Sequence, residues 1–173
     1  KAQMIDRRNS SFDAFADVRD QVYGGVPKNP IFSKAVNETY GQFLFYKKIP
    51  FKTYFHSTCG GNTESVFSWK GTAEIEPLSG TPCGYCSSAK WYRWNTMLSR
   101  KTVNKALASR VQNESVRRIS IQSRNKNKRI KEILLDTNTR QQYRLAGSDF
   151  RTLVGANKIR STRWTLTPTP DGW

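Results

Sequence analysis

Apolar positions change period several times along this 173-residue chain, and each change marks an element. Ile31, Phe32, Ala35, Val36 and Tyr40 recur at helical spacing, with Gly41 placed to stop the helix. Gln42–Tyr46 and Ile49–Phe55 are rich in aromatic residues and flank Lys47-Lys48, a pattern that predicts a hairpin. Pro50 puts the start of the second strand at an edge or at its first residue. That strand should run straight into His56. Trp91–Leu98 alternates as a strand, and Ser99 is placed to cap a helix over Arg100–Ser109 that buries Val103, Ala106 and Leu107. Val116–Ile121 and Ile130–Leu135 predict a second hairpin around Asn125–Lys128. A strand at Gln142–Leu145, a short helix at Phe150–Val154 and a strand at Ile159–Leu166 complete the series. Upstream, Ala2–Arg8 is helical in composition, Phe12–Asp17 alternates weakly as a strand, and the Gly- and Pro-rich stretch to Pro30 reads as loop. The expected class is α+β, mostly antiparallel strands with three or four short helices. No repeat divides the chain, so residues 1–173 read as a single domain.

One stretch lacks periodicity. From Gly61 to Pro82 the chain is rich in Ser, Thr, Gly and Pro, with Trp69 its one large apolar anchor. A loop this long needs something to hold it. All three cysteines and the only histidine flank it, as His56-x2-Cys59, an intervening 23 residues, then Cys83-x2-Cys86. Two short-spaced pairs separated by a loop are the layout of a four-ligand zinc site, because ligands on one tight turn can face one ion while a second pair closes the tetrahedron. Four protein ligands leave no position for water, so the ion would be structural. The competing reading is a disulfide between two cysteines, with one thiol left over and His56 a bystander.

Composition narrows the partners. Hydrophobic content of 36% with 12% aromatic residues suits a folded chain and not a disordered one. Against 13 acidic residues stand 29 lysines and arginines, a formal charge of +16 that calls for polyanionic surroundings. The basic run from Arg117 to Lys131 carries seven of them and no acid. No aromatic residues interleave there to stack on bases, which speaks against a specific nucleic-acid reader and for a solvated hairpin facing anionic polymer. No apolar stretch approaches the roughly 18 residues of a membrane span. Lys1 follows no initiator methionine, and the chain reads as a piece of a longer polypeptide whose targeting or membrane segments lie outside it.

Candidate chemistry within the chain is sparse. His56 sits beside Ser57 and three residues before Cys59, too local for a base and nucleophile oriented by a third group. Glu64 is the one carboxylate of the glycine turn, and its simplest role is a solvated or capping residue. Gln21 and Tyr23, beside Gly24-Gly25, could offer an amide and a sugar-stacking ring, or simply pack at a turn.

Phe55-His-Ser-Thr-Cys-Gly-Gly-Asn-Thr-Glu64, then Trp69-Lys-Gly71 and a cysteine-bearing segment ending in Trp94, closely resembles the SpoIID/LytB domain of bacterial cell-envelope proteins. Arg19-Asp-Gln-Val-Tyr-Gly-Gly25, Ala35-Val-Asn-Glu-Thr-Tyr-Gly41, Phe150-Arg-Thr-Leu-Val-Gly155 and Ile159-Arg-Ser-Thr162 extend the resemblance along nearly the whole chain. It implies an extracytoplasmic, cell-envelope protein acting on peptidoglycan glycan strands. SpoIID-like members are lytic transglycosylases, and LytB-like members enhance a cell-wall amidase. Such cleavage needs a carboxylic acid that protonates the glycosidic oxygen and then takes the proton of the sugar's own hydroxyl. In the family that acid lies in a Glu-Met-Pro-like stretch ahead of everything seen here, and a Gly-His-Gly-rich segment follows the last strand. Neither is in this sequence, so no catalytic residue is assigned. The resemblance places Gln21, Tyr23, Ser57, Thr58 and Thr63 on the wall of a substrate cleft.

Overall fold

A computed structural model describes residues 15, 22, 24–67 and 74–173. The expected helix at Ala2–Arg8, the weak strand at Phe12–Asp17, Gln21, Tyr23 and Trp69 lie outside these residues. Two compact units divide the chain after Phe55. Three α-helices and antiparallel sheets of two and three strands give an α+β fold among the described residues.

The first unit contains α1 (Pro30–Glu38), β1 (Phe45–Tyr46) and β2 (Ile49–Pro50). Asn29 caps α1, its side-chain oxygen accepting the Ile31 N–H at 3.0 Å, and Pro30 sits where a missing N–H costs nothing. Lys47 and Lys48 both take positive φ (50° and 64°), the tight two-residue turn whose twist matches a hairpin. The strand expected through Phe55 ends at Pro50 instead. One further cross-strand bond follows, Phe51 N–H to Leu44 O at 3.3 Å, and the pairing goes no further. His56 is therefore not hung from a strand end.

The second unit holds the core. It comprises α2 (Arg100–Leu107), β3 (Val116–Arg124), β4 (Ile130–Thr137), β5 (Gln142–Ala146) and α3 (Gly147–Val154). Ser99 caps α2, its Oγ accepting the Thr102 N–H at 3.2 Å. The sheet runs β3-β4-β5, with Ile119 opposite Leu135, Ile121 opposite Ile133, and Ile133 opposite Leu145. Burial alternates along β4, so Ile133 and Leu135 face one side with Leu145. Val103, Leu107 and Val111 from the α2 region and Phe150 and Val154 from α3 join them in one cluster. Phe150 is fully buried and its ring lies 5.8 Å from that of Trp164.

Two expected strands do not form. Trp91–Leu98 and Ile159–Leu166 lie outside every described sheet. Leu98 exchanges backbone hydrogen bonds with Trp173 (2.7 and 3.0 Å), which anchors the end of the first segment. Tyr92–Leu98 and Arg163–Thr167 line a groove of about 540 Å³. Alternation there records one buried and one open face, not a ladder partner.

Replacing Phe150 with Ala should destabilise the protein by about 3–5 kcal/mol, the cost of a large buried ring and the cavity it leaves. Denaturant unfolding followed by fluorescence measures it. A loss under about 1 kcal/mol would mean that α3 does not pack as described.

Candidate metal centre

The three cysteines lie on two turns of the second unit, and the backbone joins those turns directly. Asn62 bridges Pro82 in antiparallel fashion. Thr63 N–H donates to Thr81 O at 2.9 Å, Thr81 N–H to Thr63 Oγ1 at 2.7 Å, and Cys83 N–H to Gly61 O at 2.9 Å. Gly80 permits the approach. Its φ is +84°, and a Cβ there would fall 2.8 Å from Thr63 O. No other residue type fits that space without moving the turn.

With the turns paired, Cys59, Cys83 and Cys86 bring their sulfurs within 4.8 Å of one another. Such a group can hold a metal ion. All three thiols are free. The Cys59 and Cys86 sulfurs are 3.4 Å apart, well beyond the about 2.05 Å of a disulfide. Sulfurs about 2.3 Å from a tetrahedral ion would sit about 3.8 Å apart, a spacing these sulfurs can reach with small shifts. Gly61, with φ +102°, turns its N–H back onto Cys59 Sγ at 3.4 Å. An N–H directed at sulfur favours the thiolate that metal binding requires.

The predicted histidine does not join this group. His56 is exposed, and among the described residues no imidazole or carboxylate completes a set with the three sulfurs.

The three thiols differ electrostatically. Burial pushes the Cys59 thiol up, against the lowering effect of the Gly61 N–H. Cys86 is pulled down, first by the backbone N–H of Cys59 and then by its thiol, which donates to the Cys86 sulfur. Without a metal, the proton is therefore lost more readily from Cys86 than from Cys59.

The tip of the β3–β4 hairpin closes over this turn. Glu64, expected to be solvated or capping, has a side chain only 15% exposed. Its carboxylate accepts from Asn125 Nδ2 at 2.9 Å and Asn127 Nδ2 at 3.0 Å, and forms an ion pair with Arg129 Nε at 3.0 Å. Arg129 also donates to Cys59 O at 2.9 Å, and Arg163 donates to Gly60 O. The basic hairpin is therefore not wholly a solvated face. Asn125 Oδ1 meanwhile accepts from the N–H groups of Asn127 and Arg129, which fixes the tip that reaches Glu64. With its oxygens multiply bonded, this carboxylate can offset its own desolvation.

A cavity of about 410 Å³ opens beside the turn. Ser57 and Thr58, placed by resemblance on a cleft wall, line it, as do Trp91, Tyr92 and Trp94. Thr63 does not. Its hydroxyl is engaged with Thr81. The cavity also receives Arg93, Arg129, Arg151, Arg160 and Arg163, none of which sequence spacing singled out as a site. They come from four separate segments, and only the folded chain assembles them.

Comparison with known proteins adds little to this geometry. An uncharacterized protein of Brachyspira hyodysenteriae (strain ATCC 49526 / WA1) is 30% identical over 163 residues, covering 93% of this chain and 42% of that protein. The chain thus spans less than half the length of this relative. No family model matches the chain, and no solved structure matches it.

The purified protein should bind one divalent ion per chain, and Cys59→Ser should abolish stoichiometric binding. After chelation, brief iodoacetamide treatment should label Cys86 ahead of Cys59, as exposure and thiolate character both dictate for that pair. Peptide mapping by mass spectrometry reads both. Equal labelling of all three thiols, or a Cys59–Cys86 disulfide in the protein as isolated, would contradict the site.

Proposed function

We propose that this chain is the glycan-strand-binding portion of a SpoIID-type peptidoglycan lytic transglycosylase working in the cell envelope, outside the cytoplasm. The observation that carries the reading is the cavity beside the cysteine turn. Its wall includes Ser57 and Thr58 of the motif that resembles the family, and Trp91, Tyr92 and Trp94 line it as well. Aromatic faces stack on the apolar faces of sugar rings, while hydroxyls and guanidinium N–H groups bond the ring oxygens and acetamido groups. A volume of about 410 Å³ is within the usual range for a small-molecule site.

The ion in this reading is zinc, with a structural role. Cys59, Cys83 and Cys86 supply three thiolates, and His56, three residues from Cys59 and free of burial, swings in as the fourth ligand on binding. Bound there, the ion adds a cross-link between the two turns. The ion does no chemistry on the sugar.

Cleavage needs a proton donor at the glycosidic oxygen. No carboxylate is among the described residues lining the cavity. In this reading the acid is supplied from outside the described lining of the cavity, and the lining itself holds the strand. The same observation supports a second reading, a non-catalytic enhancer that presents strands to a cell-wall amidase.

Digestion of purified sacculi by the intact parent protein separates the two. Anhydro-ended muropeptides released without any added enzyme are expected. Release only when an amidase is supplied would favour the enhancer. No retention of the chain on sacculi, at any salt concentration, would rule out both.

A further inference from the structure

The cavity beside the cysteine turn carries far more positive charge than a neutral glycan requires. Five guanidinium groups line it, from Arg93, Arg129, Arg151, Arg160 and Arg163. Arginine stays protonated at any physiological pH, so these charges repel one another and cannot discharge by losing protons. Among the described residues, only Arg129 has a carboxylate partner, Glu64. The others have neutral neighbours. Arg163 donates to Gly60 O, Arg151 donates to Arg160 O at 3.3 Å, and Arg160 lies over the Trp91 ring at 3.2 Å from its centroid. The Arg151 Nε is buried with no hydrogen-bond acceptor. A buried donor left unsatisfied is costly, and a bound acceptor would recover that cost. Four guanidiniums without a carboxylate partner, one with an unpartnered N–H, favour a negatively charged ligand.

We propose that this cavity is a receptor for an oxyanion, a carboxylate or phosphate carried on a saccharide, gripped by Arg151 and Arg160 with Arg93 at the exposed rim. Guanidinium forks match both oxyanions in geometry. Trp94 takes the sugar ring, since the Trp91 ring already has Arg160 and Lys90 over it. Arg129 stays with Glu64 and holds the turn rather than the ligand. The inference rests on the glycan reading for the sugar, and on the arginines alone for the anion.

Isothermal titration of the metal-loaded chain with four probes tests it: neutral tetra-N-acetylglucosamine, tetragalacturonate, glucose 6-phosphate and inorganic phosphate. At least one charged sugar should bind about tenfold or more tighter than the neutral tetramer, the equivalent of one charge-assisted hydrogen bond, and should weaken as salt rises. Which of the two does so identifies the oxyanion. Arg160→Gln should remove that preference. Arg93→Gln, at an exposed position that the fold does not need, should reduce it with an unchanged melting temperature, which guards against misfolding of the first variant. If the neutral tetramer binds as tightly as the charged sugars, the oxyanion receptor is wrong and the glycan reading stands. If inorganic phosphate binds and no sugar does, the arginine receptor stands and the glycan reading falls. If no anion binds, the receptor is wrong outright.

Discussion

The candidate site depends on a junction between two turns that are 23 residues apart in sequence. Cys59 on one turn and Cys83 and Cys86 on the other bring their sulfurs within reach of one centre. Loop closure of this length carries an entropic cost that the few apolar residues of the loop, such as Val66, hardly offset. The paired backbone at Thr63–Thr81 and Gly61–Cys83 contributes, but backbone bonds exposed to water contribute little net stability. An ion held by these thiolates would supply what is missing, and its binding free energy would at the same time be folding free energy for the loop.

The junction also organises what surrounds it. Once the Cys59–Glu64 turn is fixed, Glu64 presents its carboxylate to the hairpin tip, and Asn125, Asn127 and Arg129 converge on it. That contact ties the loop to β3 and β4, whose inner faces belong to the main core. Rigidity passes from the hydrophobic cluster around Phe150, through the hairpin, to the turn that lines the cavity. Binding residues held by such a support keep their geometry better than residues on an untethered loop. Ser57 and Thr58 immediately precede that turn, and Arg160 and Arg163, which follow α3, line the same cavity.

Much of this was legible beforehand, and the limits have physical causes. Strong periodicity marked α1, α2, β3, β4, β5 and α3, and the cap at Ser99 was readable because one hydroxyl before a helical run has one obvious use. Trp91–Leu98 and Ile159–Leu166 misled, because alternation reports a buried face and says nothing of a hydrogen-bonded neighbour. The cysteine spacing pointed to a shared centre, and three thiols do converge. The placement of His56 was not readable, since an exposed side chain is set by what it meets. Glu64 was undervalued for a similar reason: its partners lie about sixty residues downstream, on a hairpin whose charge suggested solvent. The arginine cavity is the extreme case, assembled from segments whose spacing carries no signal.

Hydrogen exchange at two amides tests the junction most directly. Thr63 and Cys83 donate across the loop to Thr81 and Gly61. In the protein as purified, both amides should exchange slowly. On adding a chelator, both should lose protection while Ile133 and Leu135 in the central strand keep theirs. Unchanged protection at Thr63 and Cys83 after complete metal removal would show that the ion does not hold the turns together.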